Sequence, residues 1–359
     1  MDKHPTPKIH CHYYGPIASV GKPSIGGYEA ANRKNIDTLR ALGVNVTEHP
    51  NPVKPKIPGG AIVYLKLLVN PFGMLRSAGK KETIVHITPL PRMLWYPSLF
   101  CVWLAKRLGL KTVVDIRAGS FIRFYENRGR AYRWAVRNML NFADAVTVEG
   151  KAYVEYIRKL TDNKVTPHYF PNIVKEKATD REIDSSNRRY NIFYFGRISY
   201  SKGYSEMLDA INSLDDRFHL YLAGNISDGI VIPDSPKITH FGSLSPEELA
   251  AKLPRMGFFL FPSKWSGEGQ SNSLIEAMGA GLVPVASDNG FSQDVVADAG
   301  YVLPITASGK EYAKKIACCA DSGFDEMSDK AVRQIRINHN VYTEIKKLVD
   351  IYNRLITDH

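Results

Sequence analysis

The feature that most constrains the fold is a repeated alternation of short apolar segments with longer segments of helical spacing. The apolar segments are Ile9–Tyr13, Val44–Thr47, Ala61–Leu65, Thr83–Ile87, Thr112–Ile116 and Ala145–Val148, followed by Ile192–Phe195, His219–Leu222, Ile238–Phe241, Phe258–Phe261 and Val283–Ala286. Nearly continuous apolar strands separated by helices predict parallel sheets that are covered on both faces. Because two such series follow each other in 359 residues, we expect two doubly wound α/β domains with a ligand cleft between them.

A polar, highly charged segment separates the two series. Val174–Tyr190 lacks apolar periodicity and is typical of an interdomain linker. The chain ends in a predicted helix with apolar residues at helical spacing, namely Val341, Ile345, Leu348, Tyr352 and Leu355. The predicted boundaries are therefore 1–173 for the first domain, 174–190 for the linker, 191–338 for the second domain and 339–359 for the final helix.

Composition favours a cytoplasmic protein. The four cysteines form no CxxC pair, and the N-terminus is polar, without the pattern of a secretory signal. The longest apolar run, Leu94–Ala105, contains Pro97 and falls short of the roughly 20 residues that cross a bilayer.

The positive charge is concentrated in the first half of the chain. Residues 1–174 carry 26 Lys and Arg against 11 Asp and Glu, a net charge of +15, whereas residues 175–359 carry 21 against 25, a net charge of −4. This asymmetry indicates an anionic partner for the first domain, the alternative being a basic surface that serves only solubility.

The strongest motif follows the predicted strand Phe258–Phe261. It is EGQSNSLIEAM, which begins with Glu268 and contains Glu276 eight positions later, with a helix beginning between the two glutamates. Gly267 and Gly269 let the backbone approach a ligand closely, and Ser271 or Asn272 can cap the helix. The helix N-terminus then offers amides to an anion, while Glu276, more than a turn into the helix, can accept hydrogen bonds from sugar hydroxyls.

Two further motifs follow strands in the same way. After Ile192–Phe195 come Gly196, Arg197 and, five residues later, Lys202 beside Gly203, an arrangement that aims two cations at one point. After the first strand, Gly26 and Gly27 begin a helix, where paired glycines suit close approach to a phosphate.

These three motifs resemble those of the retaining glycosyltransferases of family 4, whose signature is two glutamates separated by seven residues. EGQSNSLIEAMGAGLVPV is similar to the family's E-G-x6-E-A-M and G-x-P-V, GRISYSKG to its diphosphate-binding element, and GGYE to its G-G-x-E loop. The resemblance covers nearly the whole chain. It implies a GT-B fold, two Rossmann-like domains with the donor held mainly by the second and a final helix that returns to the first.

The resemblance also implies roles for individual residues. Arg197 and Lys202 would stabilise the departing diphosphate, Glu268 would orient the donor sugar and Glu276 would bind the ribose. Anomeric configuration would be retained, with the departing phosphate taking the acceptor proton. The expected donor site comprises Gly26, Gly27, Gly196, Gly269, Gln270, Ser271, Asn272 and Glu276.

One position departs from the family pattern. Many members place a histidine after the strand that corresponds to Thr112–Ile116, where this chain has Arg117. Arg117 would either contact an acidic sugar or an acceptor phosphate, with Arg123 nearby in sequence on the same side, or form a structural pair with a carboxylate. Both interpretations stay open at this point.

A basic and aromatic stretch lies in the first domain. Arg130, Arg133 and Arg137 are spaced to share a helical face, and upstream Arg92, Trp95, Trp103, Lys106 and Arg107 flank the short apolar helix. This composition favours contact with an anionic membrane surface, the alternatives being a solvated helix or, least of all, nucleic acid, for which no binding module is present.

We therefore expect a cytoplasmic glycosyltransferase, peripheral at the inner membrane, that moves a sugar from a nucleotide-sugar, UDP in preference to GDP, to a glycan or polyprenyl-linked acceptor in surface-polysaccharide assembly. The chain has no Asp-x-Asp, and His10 and His12 fit a strand better than a metal site, so we expect neither a metal nor a cofactor. The alternatives are another GT-B enzyme, such as a sugar-nucleotide epimerase or a phosphorylase, and a non-catalytic nucleotide-sugar-binding protein at the membrane.

Overall fold

The computed structural model describes residues 9–19, 27–51, 82–90, 95–174, 187–227 and 229–357. They form two compact units, one from the residues up to Ile173 together with those from Val341 onward, and one from Val174–Asn340. The predicted strand Ala61–Leu65 and most of the predicted linker lie outside the described residues. Each unit is built around one parallel six-stranded sheet.

The sheet of the first unit has the strand order β2-β1-β3-β4-β5-β6, with every neighbouring pair parallel. Its strands are β1 (His10–Gly15), β2 (Asn45–Pro50), β3 (Thr83–Ile87), β4 (Lys111–Ile116), β5 (Ala145–Val148) and β6 (His168–Tyr169). All residues of β3 and β5 are buried, because helices cover both faces of a parallel sheet. The two-residue strand β6 is too short to show in the sequence pattern.

The helices of the first unit are α1 (Gly27–Ala41), α2 (Trp95–Arg107), α3 (Phe121–Glu126), α4 (Arg130–Phe142), α5 (Lys151–Leu160) and α12 (Val341–Thr357). Helix α12 carries the predicted apolar stripe. Its Val341, Ile345 and Leu348 lie in the same hydrophobic core as Ile36 and Leu39 of α1. The last helix of the chain is therefore packed into the first unit.

The sheet of the second unit has the order β12-β11-β10-β7-β8-β9, again with all neighbours parallel. Its strands are β7 (Asn191–Phe195), β8 (His219–Ala223), β9 (Ile238–His240), β10 (Phe258–Phe261), β11 (Val283–Ser287) and β12 (Tyr301–Leu303). The edge strand β12 was not predicted, since three residues give too short a pattern. Two helix-covered parallel sheets confirm the predicted α/β class.

The helices of the second unit are α6 (Tyr204–Ser213), α7 (Pro246–Lys252), α8 (Asn272–Gly279), α9 (Ser292–Val296), α10 (Gly309–Asp321) and α11 (Phe324–Asn338). Helices α7 and α10 begin with full capping boxes, Ser245 with Glu248 and Ser308 with Glu311. These caps satisfy backbone amides that a helix start otherwise leaves unpaired.

The chain enters and leaves the second unit at neighbouring points, because the Val174 amide donates to the His339 carbonyl at 3.0 Å. At the other end of the predicted linker, Arg188 is buried and donates to the Ser328 hydroxyl at 2.6 Å. Its guanidinium also lies over the Phe324 ring. The residues just before β7 are thus anchored in the core of the second unit.

Among the helices that the structure describes, none has the length and apolar character needed to cross a membrane.

Candidate functional site

The two charged motifs of the second unit follow adjacent strands. Strand β10 pairs with β7 in parallel, so the loops that follow both strands emerge at the same edge of the sheet. One loop carries Arg197 and Lys202, and the other carries Glu268. This topology brings together residues that are about 70 positions apart in the sequence.

Lys202 and Glu268 form the centre of this site. The Lys202 ammonium Nζ lies 2.7 Å from Glu268 Oε2, and the Ser263 hydroxyl donates to the same oxygen. The Glu268 side chain is buried, whereas that of Lys202 is partly exposed. The carboxylate is therefore held in one orientation by two donors from two different loops.

An aromatic ring also holds the Lys202 side chain. Its ammonium lies 4.5 Å from the centroid of the exposed Trp265 ring and 5.8 Å from that of Phe261, and cations are attracted to aromatic faces at such distances. A Cβ atom at Gly267 would lie 2.8 Å from the same indole. Glycine at this position therefore leaves room for the ring that faces Lys202.

A second glycine allows the two loops to meet. Gly203 has a φ of +83°, and a Cβ atom there would lie 2.2 Å from the Pro262 carbonyl oxygen. Beside this contact, the Lys264 amide donates to the Ser201 carbonyl at 2.8 Å. The loops approach so closely only because residue 203 has no side chain.

Arg197 is exposed on the loop that follows β7. Its backbone carbonyl accepts a hydrogen bond from the Tyr194 hydroxyl at 2.7 Å. Burial raises the pKa of Tyr194, the Glu268 carboxylate raises it further and Arg197 lowers it. Both charged groups therefore lie within electrostatic range of the same phenol.

The helix that follows Glu268 begins where the sequence suggests. Ser271 is the N-cap of α8, and its hydroxyl accepts a hydrogen bond from the Leu274 amide at 3.3 Å. The choice between Ser271 and Asn272 as cap is thereby decided for Ser271. Gln270 is buried, while Gly269 and Glu276 are partly exposed, so the loop before the helix is part core and part surface.

The sequence reasoning missed the segment that supports this loop from behind. At the end of β11, the Ser287 hydroxyl donates to the Ser263 carbonyl at 2.6 Å. Just after the strand, the Asn289 side-chain amide donates to the carbonyls of Ser263 and Trp265 at 2.9 and 3.0 Å. A Cβ atom at Gly290 would lie 2.7 Å from the Glu268 carbonyl oxygen. Their place in the sequence could have identified these residues, because they lie at and just after the end of β11, the strand that pairs with β10.

Of the glycine pair in the first unit, the structure describes only one member. Gly27 is the exposed first residue of α1, as the motif predicts, and Gly26 lies outside the described residues. In the second unit, Gly196 is exposed and has a φ of +140°.

A second charged cluster lies at the carboxyl end of β4 in the first unit. Arg117 is only 3% exposed, its Nε lies 2.5 Å from Asp115 Oδ2, and its Nη1 donates to the Asn172 side-chain oxygen at 2.6 Å. The guanidinium stacks over Phe170 with 4.6 Å between its carbon and the ring centroid. Of the two interpretations of Arg117, the structure shows the carboxylate pair.

This cluster continues through buried residues that the sequence did not single out. Asp115 accepts a hydrogen bond from the Thr147 hydroxyl at 2.8 Å and lies 3.5 Å from His86 Nε2, while His86 Nδ1 lies 2.7 Å from the Tyr352 hydroxyl. Burial alone would raise the pKa of Asp115, but Arg117 and His86 hold it below its usual value. Arg123, by contrast, is exposed on α3.

The histidines near the start of the chain bond to their neighbours in the sheet. His10 lies 2.9 Å from the Thr47 hydroxyl, and His12 lies 3.0 Å from His49. Within the described part of the chain, no group of three or more His, Cys, Asp or Glu side chains has the arrangement of a metal site.

With fold and site in place, the class is that of a two-domain α/β protein with the GT-B fold. Residues 189–322 match the family model described as "Glycosyl transferases group 1", so the second unit contains a domain of this family. No curated protein matches the chain by sequence.

Three solved structures illustrate the likeness of fold. Sucrose-phosphate synthase from Thermosynechococcus elongatus has a TM-score of 0.74 and 16% identity, covering 98% of this chain and 100% of its own. A glycosyltransferase from Rickettsia africae has 0.72 and 15%, with coverages of 98% and 100%. HepE from Anabaena, whose structure contains UDP, has 0.70 and 13%, with coverages of 96% and 99%. Family domain and neighbours together support a GT-B glycosyltransferase.

Proposed function

We propose that this protein is a retaining glycosyltransferase of family 4 that moves a sugar from a nucleotide-sugar to a glycan acceptor. The observation that carries the proposal is the Lys202–Glu268 pair, 2.7 Å apart, at the edge of the sheet where the loop with the exposed Arg197 also emerges. In this arrangement, cations that can stabilise a leaving diphosphate lie beside a carboxylate that can bind sugar hydroxyls. The pair lies in a domain of the glycosyl transferases group 1 family.

The chemistry requires charge stabilisation at one place. When the anomeric C–O bond breaks, its electron pair stays with the diphosphate, which becomes more negative. Arg197 can bind phosphate oxygens through two parallel hydrogen bonds, and Lys202 adds a compact positive charge. Amides at the start of α8, beyond Gly269 and Gln270, offer further donors. Groups fixed before the reaction in this way stabilise the transition state electrostatically.

The two glutamates of the motif have separate roles in this proposal. Glu268 accepts hydrogen bonds from donor-sugar hydroxyls, and Ser263 and Lys202 fix its orientation. Glu276, partly exposed on α8, binds the ribose. The acceptor hydroxyl attacks the anomeric carbon from the face that the diphosphate leaves, and its proton passes to the departing phosphate oxygen, so that configuration is retained.

The proposed donor is a UDP-sugar, which the UDP complex of the structurally similar HepE supports. We propose turnover without a divalent metal, since the sequence has no Asp-x-Asp pair, and chelation with EDTA should then leave the rate unchanged. The proposed acceptor is a polyprenyl- or lipid-linked glycan in surface-polysaccharide assembly, at the cytoplasmic face of the inner membrane. The net charge of +15 on residues 1–174 supports an anionic acceptor of this kind.

A thermal-shift screen of UDP, GDP, ADP and CMP sugars tests the donor, because a bound ligand raises apparent stability by mass action. We expect a shift with UDP-sugars that is lost in the Arg197→Ala/Lys202→Ala double variant. Product NMR then tests the reaction. A product with inverted anomeric configuration would exclude family 4, and conversion of the donor without transfer to an added acceptor would identify an epimerase instead.

A further inference from the structure

An aromatic groove lies on the surface of the first unit, between α2 and α4. These two helices pack against each other, and the groove encloses about 230 Å³. Its six lining side chains are apolar or aromatic: Tyr96, Leu99, Phe100, Trp103, Trp134 and Phe142. On α2 they recur at intervals of 3, 1 and 3 residues, so they form one continuous helical stripe.

This stripe is not needed for the core. The opposite side of α2 already buries Cys101, Val102 and Leu104, and α4 buries Val136 and Met139. The groove side chains nevertheless stay open to solvent, with exposures of 40% for Trp103, 63% for Trp134 and 41% for Phe142. Large aromatic side chains exposed together indicate an interaction surface.

The groove has a cation at each end. Arg130 lies one helical turn before Trp134, and Arg107 lies one turn after Trp103, with its guanidinium 5.2 Å from that ring. Both arginines are exposed, and neither pairs with a carboxylate in the part of the chain that the structure describes.

The neighbouring arginines are engaged elsewhere. Arg133 donates to the Glu126 carbonyl and lies over the Tyr125 ring, and Arg137 pairs with Asp162 at 2.8 Å. Trp95, grouped with the surface aromatics in the sequence, is buried against Phe121. Exposed cations and exposed rings therefore coincide at the groove itself and not along the whole basic stretch.

We propose that this groove docks onto an anionic phospholipid bilayer, with its rings in the interfacial region and Arg107 and Arg130 on the headgroups. Aromatic side chains prefer this depth of a bilayer, and basic residues nearby attract anionic lipid. A second copy of the chain fits less well, because symmetric pairing across the groove would bring like charges together. This docking surface rests on the membrane location in the proposed function, but the groove contains no residue of the donor site.

Co-sedimentation of the full chain with vesicles tests the docking surface. We expect binding to vesicles of phosphatidylglycerol and phosphatidylcholine in equal parts, weaker binding as salt is raised, and little binding to phosphatidylcholine alone. Brominated acyl chains should quench the fluorescence of Trp103 and Trp134, since interfacial helices insert about 5–10 Å into the boundary of the acyl chains.

Paired variants separate the contributions of rings and charges. Trp103→Ala/Trp134→Ala should weaken vesicle binding about 10-fold or more, because apolar burial is lost. Arg107→Gln/Arg130→Gln should weaken it about 30-fold at low salt, since each cation near an anionic surface contributes a factor of about 5. Matched controls on exposed residues of the second unit, Ile337→Ala and Arg255→Gln, should leave binding unchanged.

Three results would overturn the proposal: equal binding to neutral vesicles, unchanged binding by both groove variants, or a wild-type dimer that the groove variants convert to monomer. The last would identify a self-association interface. A thermal shift with UDP on each variant reports folding and donor binding separately. Retained UDP binding without vesicle binding therefore contradicts the docking surface alone, and the converse contradicts the proposed function alone.

Discussion

Both units place a charged cluster at the carboxyl edge of a parallel sheet, yet water reaches the two clusters to very different degrees. In the second unit, Arg197 is exposed and Lys202 partly exposed beside Glu268. In the first unit, Asp115 and Arg117 are both almost fully buried. Exposed charges can exchange partners with a ligand, whereas buried charges mainly hold the protein together.

The surroundings of each cluster explain this difference. Asp115 is enclosed by Thr147, His86 and Arg117, and α12 adds the Tyr352 hydroxyl behind His86. The Lys202–Glu268 pair is instead carried by two loops that glycines allow to approach. The carboxyl edge of a doubly wound sheet, which usually binds ligands, thus carries a buried ion pair in the first unit and an accessible one in the second.

The largest expected effect comes from removing the accessible cations. The Arg197→Ala/Lys202→Ala double variant should lower donor turnover by several orders of magnitude, because the leaving diphosphate loses both side-chain cations; a single such donor is worth about 10²–10³ in kcat. Release of nucleoside diphosphate from the donor measures this. Lys264→Ala is the matched control, since its ammonium pairs with Glu206 at 2.6 Å. Near-normal turnover in the double variant would remove the proposed roles.

The next largest effect is on the free energy of unfolding, through the buried Asp115–Arg117 pair. Arg117→Met should destabilise the protein by about 3–5 kcal/mol, because it leaves the buried Asp115 carboxylate without its charge partner. Urea unfolding followed by circular dichroism measures the loss. Removing both charges in Asp115→Leu/Arg117→Met should recover part of it. A loss below about 1 kcal/mol, the value of an exposed pair, would contradict the buried character of this cluster.

The approach of the two loops in the second unit gives a third test. Gly203→Ala should cost about 3 kcal/mol, since it combines a left-handed backbone with an overlap against the Pro262 carbonyl. Gly242→Ala, also at positive φ but with open space around the Cβ position, should cost only about 1 kcal/mol. Thermal unfolding of both variants makes the comparison. Equal losses would mean that the loops do not need this contact.

A pH dependence of the first unit gives a fourth test. Burial, together with nearby histidines, lowers the pKa of His12 and of His49 to about 4 from an ordinary value of 6.5. The unfolded chain therefore takes up protons first, and the free energy of unfolding should fall as pH drops from 6.5 to 4, by less than about 1.4 kcal/mol per pH unit for each of the two histidines. His12→Gln should flatten this slope in urea unfolding, and an unchanged slope would contradict the prediction.

Local pattern explains how much of the fold could be predicted. Strands such as Thr83–Ile87 and Phe258–Phe261 have the predicted bounds because they are buried on both faces, so every residue contributes to the apolar run. Strands β6 and β12, with two and three residues, depend on pairing with a neighbour. Their own residues carry too little periodicity to identify them.

For the site, the sequence alone determined the motifs and the strand that precedes each. Arg197, Lys202, Glu268 and Ser271 could be singled out because glycines and a helix cap mark strand-to-helix loops locally. Tertiary structure alone decided which groups meet. It joined Lys202 to Glu268, put Asn289 behind their loop and enclosed Arg117 with Asp115, because those contacts depend on strand order and side-chain packing, which no local spacing encodes.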